Sequence, residues 1–172
     1  MLSDDLDRVL DEHYLAGLSE LDVSELKARR AECQQVEAKV SYLRRLVQGR
    51  LDIVSAEMRR RQSGMPADDL SSLVEQLPQI LADRVRAPGP GRMPTNLVPP
   101  DDDGLTSELD SVSGPAAVAS LPDLDVDELQ DVAERLSELE ERVSRQRRAL
   151  FGVLDSLQAE IAARYGDGEA SG

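Results

Sequence analysis

All nine prolines of this 172-residue chain lie between Pro66 and Pro122. A proline inside a helix removes a hydrogen bond and clashes with the preceding turn. The chain is therefore divided into two proline-free arms joined by a segment, 63–123, that cannot carry a long helix. The stretch APGPGRMPTNLVPPDDDG (87–104) supports neither a helix nor a sheet ladder. One island, residues 67–85, places Leu70, Leu73, Val74, Leu77, Ile80 and Leu81 at helical spacing, with a weak point at Pro78. A short amphipathic helix is expected there, and the rest of 63–123 reads as a long, largely disordered linker.

Both arms read as helical. Leu2, Leu6, Val9 and Leu10 recur at helical spacing in a short acidic segment (1–20) with Ser3, Asp4 and Asp5 as N-cap candidates. Gly17 punctuates it. Asp22 or Ser24 then opens a long helix, 22–62, with no proline and only Gly49 inside. The second arm is a long helix over 124–165, capped by Asp125 or Asp127, and the tail 166–172 (GDGEASG) is expected to fray.

The two long helices are copies of each other. A shift of 103 positions lays LDVSEL (21–26) on LDVDEL (124–129), and 10 of the 21 positions in 37–57 are identical in 140–160 without a gap. The shared positions include a serine and a mid-helix glycine (Gly49 and Gly152), which helix interiors disfavour, so duplication of one helix is the simplest origin. Each copy carries an apolar seam. Val36, Val40, Leu43, Val47, Leu51, Val54 and Met58 step by fours and threes. Leu139, Val143, Leu150, Leu154, Leu157 and Ile161 repeat the pattern, with Gln146 in the place of Leu43. That period is the signature of a coiled coil, and each seam must be buried somewhere. The expected fold is all-α: an antiparallel two-helix coiled-coil hairpin with a short N-terminal helix and the Pro-rich linker.

Composition narrows the function. Acidic side chains number 34 and basic ones 20, for a formal charge of −14, which is not the balance of a general nucleic-acid binder. The aromatic residues are Tyr14, Tyr42, Phe151 and Tyr165, few for a compact enzyme core. His13 and Cys33 are each alone of their type, so metal sites and most histidine-dependent catalysis are not expected. No apolar run reaches the roughly 18 residues of a membrane span. The acidic N-terminus lacks the features of a signal peptide, and the cytoplasm is the expected location. No catalytic residue, direct DNA contact or membrane contact is expected.

Beside the first seam runs a polar row, Glu37, Ser41, Arg44, Gln48 and Asp52, within about 80° of the helix circumference and about 22 Å long. The second copy reads Glu140, Ser144, Arg147, Phe151 and Asp155. A solvated charged face is the ordinary fate of such residues, but charge here runs against the whole. Residues 39–50 hold Lys39, Arg44, Arg45 and Arg50 with no acid, and residues 142–154 hold Arg142, Arg145, Arg147 and Arg148 with no acid. Two basic belts inside an acidic chain point to an anionic ligand. Arginine grips phosphate or the O6/N7 edge of guanine, and carboxylates accept from guanine N–H groups. Two copies on antiparallel helices are related by a local two-fold axis, which a symmetric guanine dinucleotide would match.

The row has the form E-x3-S-x2-R-x3-Q-x3-D, and in this it resembles the RsiG family of actinobacterial anti-sigma factors. Five set residues match by chance in roughly one window per million, and the degenerate second copy stands at the expected place. The resemblance covers both long helices and does not speak for the Pro-rich middle. It implies an antiparallel coiled coil that binds cyclic di-GMP as a dimer and in that form holds a WhiG-type (flagellar-class) sigma factor away from RNA polymerase, controlling sporulation genes. The implied ligand contacts are Glu37, Ser41, Arg44, Gln48 and Asp52 with Glu140, Ser144, Arg147 and Asp155. Arg45 and Arg148 are candidate additional phosphate contacts. Phe151 departs from the pattern: it loses the amide hydrogen bonds and offers a ring instead, so the half-sites are unequal. The competing reading is a coiled-coil adaptor or scaffold that binds only proteins, independently of nucleotide.

Overall fold

The computed structural model describes residues 2–64 and 106–169, with side chains to residue 165. Helix α1 (Leu2–Leu10) is followed by two 3-10 turns, Glu12–Leu15 and Leu18–Glu20, and by the long α2 (Val23–Gln62). The second half comprises α3 (Ser107–Ser113), α4 (Pro115–Ala119), a 3-10 turn Leu121–Asp123 and the long α5 (Val126–Glu169). The fold is all-α, with α2 and α5 packed as the hairpin. No helix among the described residues is long and apolar enough to cross a membrane. The helix expected over 67–85 and most of the Pro-rich stretch lie outside the described residues, as do residues 170–172.

Both long helices start on the same device. Asp22 accepts from the Glu25 N–H at 2.8 Å while the Glu25 side chain accepts from the Asp22 N–H at 2.9 Å. Asp125 and Glu128 repeat this, with both distances 2.8 Å. Such reciprocal capping boxes satisfy donors that the first turn leaves free. The far end of α5 runs past its expected stop at residue 165. Its backbone continues to Glu169 through Gly166 and Gly168, since glycine costs a helix about 1 kcal/mol per residue without forcing it to end.

The seam is a strict seven-residue repeat. Leu26, Cys33, Val40, Val47 and Val54 are buried on α2, and Leu129, Leu136, Val143, Leu150 and Leu157 on α5. The Cys33 Sγ lies 3.7 Å from the Leu150 carbonyl oxygen, and burial pushes its thiol up to about 11. That register faces Leu26 with Leu157, Val40 with Val143, and Val54 with Leu129. The 103-residue shift exchanges these layers and leaves the Val40/Val143 layer in place, so a pseudo-two-fold axis passes through it. Leu51, Met58 and Leu154, expected in the seam, are only partly buried. In this frame Arg50 and Glu57 occupy positions where apolar side chains would be usual.

Those two charges lead to the main departure from the sequence reading. The linker expected through residue 123 ends by Thr106, where the chain is already folded against the hairpin. Leu109 and Leu121 are buried. Arg50 donates to the Leu109 carbonyl and to Asp110, at 3.2 and 2.7 Å, and to the Ser113 carbonyl. Arg61 donates to the Leu121 and Leu124 carbonyls at 2.8 and 2.7 Å. Pro115 and Pro122 open a helix and a 3-10 turn, positions where the missing N–H costs nothing.

The duplication thus reaches beyond the long helices. The same shift lays LSDDLDRVL of α1 on LTSELDSVS (105–113) and the turn Leu18–Glu20 on Leu121–Asp123. Contacts repeat with it. Lys39 reaches Asp5 at 3.3 Å, and its counterpart Arg142 pairs with Glu108. Arg61 binds the 3-10 turn Leu121–Asp123, and its counterpart Arg164 binds the carbonyls of Leu18 and Ser19. Glu32, Lys39 and Arg50, which meet α1 and α3, lie about 140–160° around α2 from Glu37. Helices α1 and α3 therefore close one face of the hairpin, and the polar rows lie on the other, open face.

Glu57 accepts from Arg60 at 2.6 and 2.7 Å and from Arg61 at 2.7 Å. The Arg60 bonds, helped by Arg61 and opposed by burial, hold its carboxyl at about 2, against an ordinary value of 4.5. A depressed carboxyl stabilises the fold above its unfolded value and stops doing so as pH falls through its folded value. Thermal melts of Glu57→Gln are expected to show a flatter loss of stability than the parent protein between pH 4.5 and about 2. Parallel slopes would mean that Glu57 does not contribute to acid sensitivity.

Candidate functional site

At the pseudo-two-fold axis the two polar rows meet and cross. Arg44 Nε donates to Glu140 Oε1 at 3.1 Å and to Ser144 Oγ at 2.8 Å. Arg147 Nε donates to Glu37 Oε1 at 3.2 Å and to Ser41 Oγ at 2.8 Å. Each serine hydroxyl donates to the glutamate of its own helix, at 2.6 Å for Ser41 and 2.9 Å for Ser144. The result is two Glu–Ser–Arg triads, each built by both helices and each the image of the other. The serines take a role that a solvated charge ladder does not supply.

These side chains are half-sheltered. The arginines keep about a third of their side-chain surface exposed, 32% for Arg44 and 35% for Arg147, and Glu37 and Glu140 keep 19% and 21%. The bonds engage the inner Nε edge of each guanidinium and one carboxylate oxygen on each side.

The symmetry is broken at one position. Gln48 donates to Glu140 Oε1 at 2.9 Å, whereas Phe151 places its ring 4.6 Å from the Arg147 guanidinium. Cation–π attraction of this kind holds an arginine without consuming its donors. One half-site therefore has an amide and the other an aromatic platform.

The remaining expected residues stand further out. Asp52 and Asp155 lie eight residues beyond Arg44 and Arg147, about 12 Å along the helix, and are not drawn into the triads. Asp52 lines an open groove of about 330 Å³ with Gln48, Leu51, Ser137, Glu140 and Glu141. Ser137 and Glu141 were not indicated by the row, because the spacing along one helix carries no information about which residues face it from the other. Arg45 and Arg148 are exposed on the flanks. Arg148 donates to the Ser144 carbonyl at 3.3 Å, and neither arginine pairs with a carboxylate among the described residues.

The basic belts do not act as two blocks. Lys39, Arg50 and Arg142 turn to the closed face and pair with Asp5, Asp110 and Glu108. Arg44, Arg45, Arg147 and Arg148 are left for the open face. Charge counting along the sequence overstates the local field, since Glu37 and Glu140, just outside the belts, neutralise two of these four.

Comparison with curated proteins gave no match. The profile of the RsiG-like family matches residues 12–81 and 115–171. The matched segments take in most of the chain, including both polar rows. The chain belongs to the RsiG-like family, a family of anti-sigma factors.

Proposed function

We propose that this anti-sigma factor binds cyclic di-GMP on the open face of the hairpin and, so loaded, sequesters a WhiG-type sigma factor from RNA polymerase, controlling sporulation genes. The observation that carries the reading is the pair of crossed Glu–Ser–Arg triads about a pseudo-two-fold axis. A guanine dinucleotide taken up as a two-fold pair has the same symmetry. It offers phosphates to the arginine Nη edges and guanine N–H groups to the carboxylates. Two dinucleotides carry four phosphate charges, and four arginines border the face. The Arg147–Phe151 platform favours a stacked base on its side, and Gln48 favours a hydrogen-bonded one on the other, so the two guests are bound unequally.

Calorimetric titration of cyclic di-GMP into the purified protein, alone and with the sigma factor, tests the reading. Saturation near two dinucleotides per chain is expected, with tighter sigma capture in the loaded state. Absence of heat with the sigma factor still bound would leave a nucleotide-independent adaptor. Absence of both would remove the sigma factor as well.

A further inference from the structure

The internal duplication lets each half of the molecule be read against the other, and the two helices on the closed face are held in different ways. Helix α1 packs on both long helices. Leu6 and Val9 are buried, Leu10 packs beside them, and Val153 of α5 is buried at the position that the 103-residue shift pairs with Arg50. Just beyond the helix, the Tyr14 hydroxyl donates to Glu32 at 2.8 Å, and Arg8 reaches the same carboxylate at 2.6 Å.

In the second half each of these contacts is replaced. Ser113 stands for Leu10, Arg50 for Val153, Ser111 for Arg8, Ala117 for Tyr14 and Arg135 for Glu32. Leu109 of α3 is buried, but Val112, the counterpart of Val9, is only partly so. The Ser113 hydroxyl is buried and has no hydrogen-bond partner among the described residues. Arg50 keeps only 18% of its side chain exposed and is held on Asp110 and on the carbonyls of Leu109 and Ser113.

These exchanges change what water meets when a helix lifts away. Lifting α1 exposes Leu6, Val9, Leu10 and Val153, at a cost that grows with the apolar area. Lifting α3 exposes Leu109 and Val112, but it also hydrates two groups short of water. The Ser113 hydroxyl gains a partner, and Arg50 regains its hydration. A helix of seven residues has little stability of its own to resist this. Its end at Gly114 is suited to a swing. A Cβ there would meet the Asp110 carbonyl oxygen at 3.0 Å, and glycine leaves the backbone free to turn. Further on, Arg61 holds the carbonyls of Leu121 and Leu124, so the movement stops before the second long helix begins.

We propose that α3 is a strap, hinged at Gly114, that opens from the closed face while its duplicate α1 stays in place as a fixed brace. Opening bares Arg50 and Arg142, the partners of Asp110 and Glu108, on the second half of that face and leaves the first half sealed. This inference does not depend on cyclic di-GMP binding.

Amide hydrogen exchange of the full chain tests it. In the parent protein, the amides of 110–113 are expected to exchange at least about 100-fold faster than the seam amides of α2 and α5, through an opening that leaves both long helices protected. S113A removes the unpartnered hydroxyl without adding bulk and should raise protection of 110–113 at least about five-fold. R50V/S113L installs the pair of the first half and should raise it further. The reciprocal L10S/V153R should lower protection of residues 6–10 about ten-fold. Seam amides report whether each variant keeps the hairpin, and S113A decides where a double variant does not. Exchange of 110–113 at the seam rate would mean that α3 leaves only with the whole fold, which overturns the proposal. Protection of 110–113 unmoved by S113A overturns it as well.

Discussion

Arg44→Lys combined with Arg147→Lys is expected to lower cyclic di-GMP affinity at least about 100-fold while leaving helix content unchanged. Lysine keeps the charge but has no fork of donors. Each arginine gives its Nε to the opposite helix, so in the proposed complex the Nη edge is what remains for the ligand, and a single ammonium cannot serve both sides. A hydrogen bond to a charged group contributes about 1.5–3 kcal/mol, and two lost together account for the factor. The exchange also separates geometry from charge. If the double variant titrates like the parent, the face attracts anions by field alone and the triads are only struts between helices. Circular dichroism of the same variant shows whether the hairpin itself survives.

The second large effect concerns the seam. Leu150→Ala should cost about 3 kcal/mol, through lost burial and the cavity left behind, and lower Tm by about 6–12 °C for a chain of this size. Leu150 is fully buried against Cys33. Leu154, one turn on, is only partly buried, and Leu154→Ala should cost about 1 kcal/mol. Comparable melting shifts for the two would contradict the seven-residue frame that puts Val40 opposite Val143.

The contrast between these leucines marks how far the sequence can be read. Prolines, caps and the duplicated seam pointed to a helical hairpin, because those signals act within one or two turns. Leu51, Leu154 and Met58 looked like core residues since they extend the apolar pattern. The strict frame runs instead through Leu26 and Cys33, and at its other positions carries Arg50 and Glu57. A charged residue in a seam reads as an interruption until its acceptors are known. Arg50's acceptors are the carbonyls of α3, and so the docking of 107–119 was hidden in what looked like linker. The polar row was legible as a row, including the break at Phe151. Its crossed pairing was not, because which glutamate an arginine meets depends on the register between helices.

That crossed pairing has a consequence for what a partner would see. On the open face, Arg44, Arg45, Arg147 and Arg148 are matched in number by Glu37, Asp52, Glu140 and Asp155, so the row by itself is close to electrically neutral. In the proposed complex, dinucleotides that take over the arginines do not discharge the face. They set the carboxylates free of their counterions and add four negative charges of their own. Loading would turn a neutral strip into an acidic one, and a basic partner would then be steered to the occupied molecule and pass by the empty one.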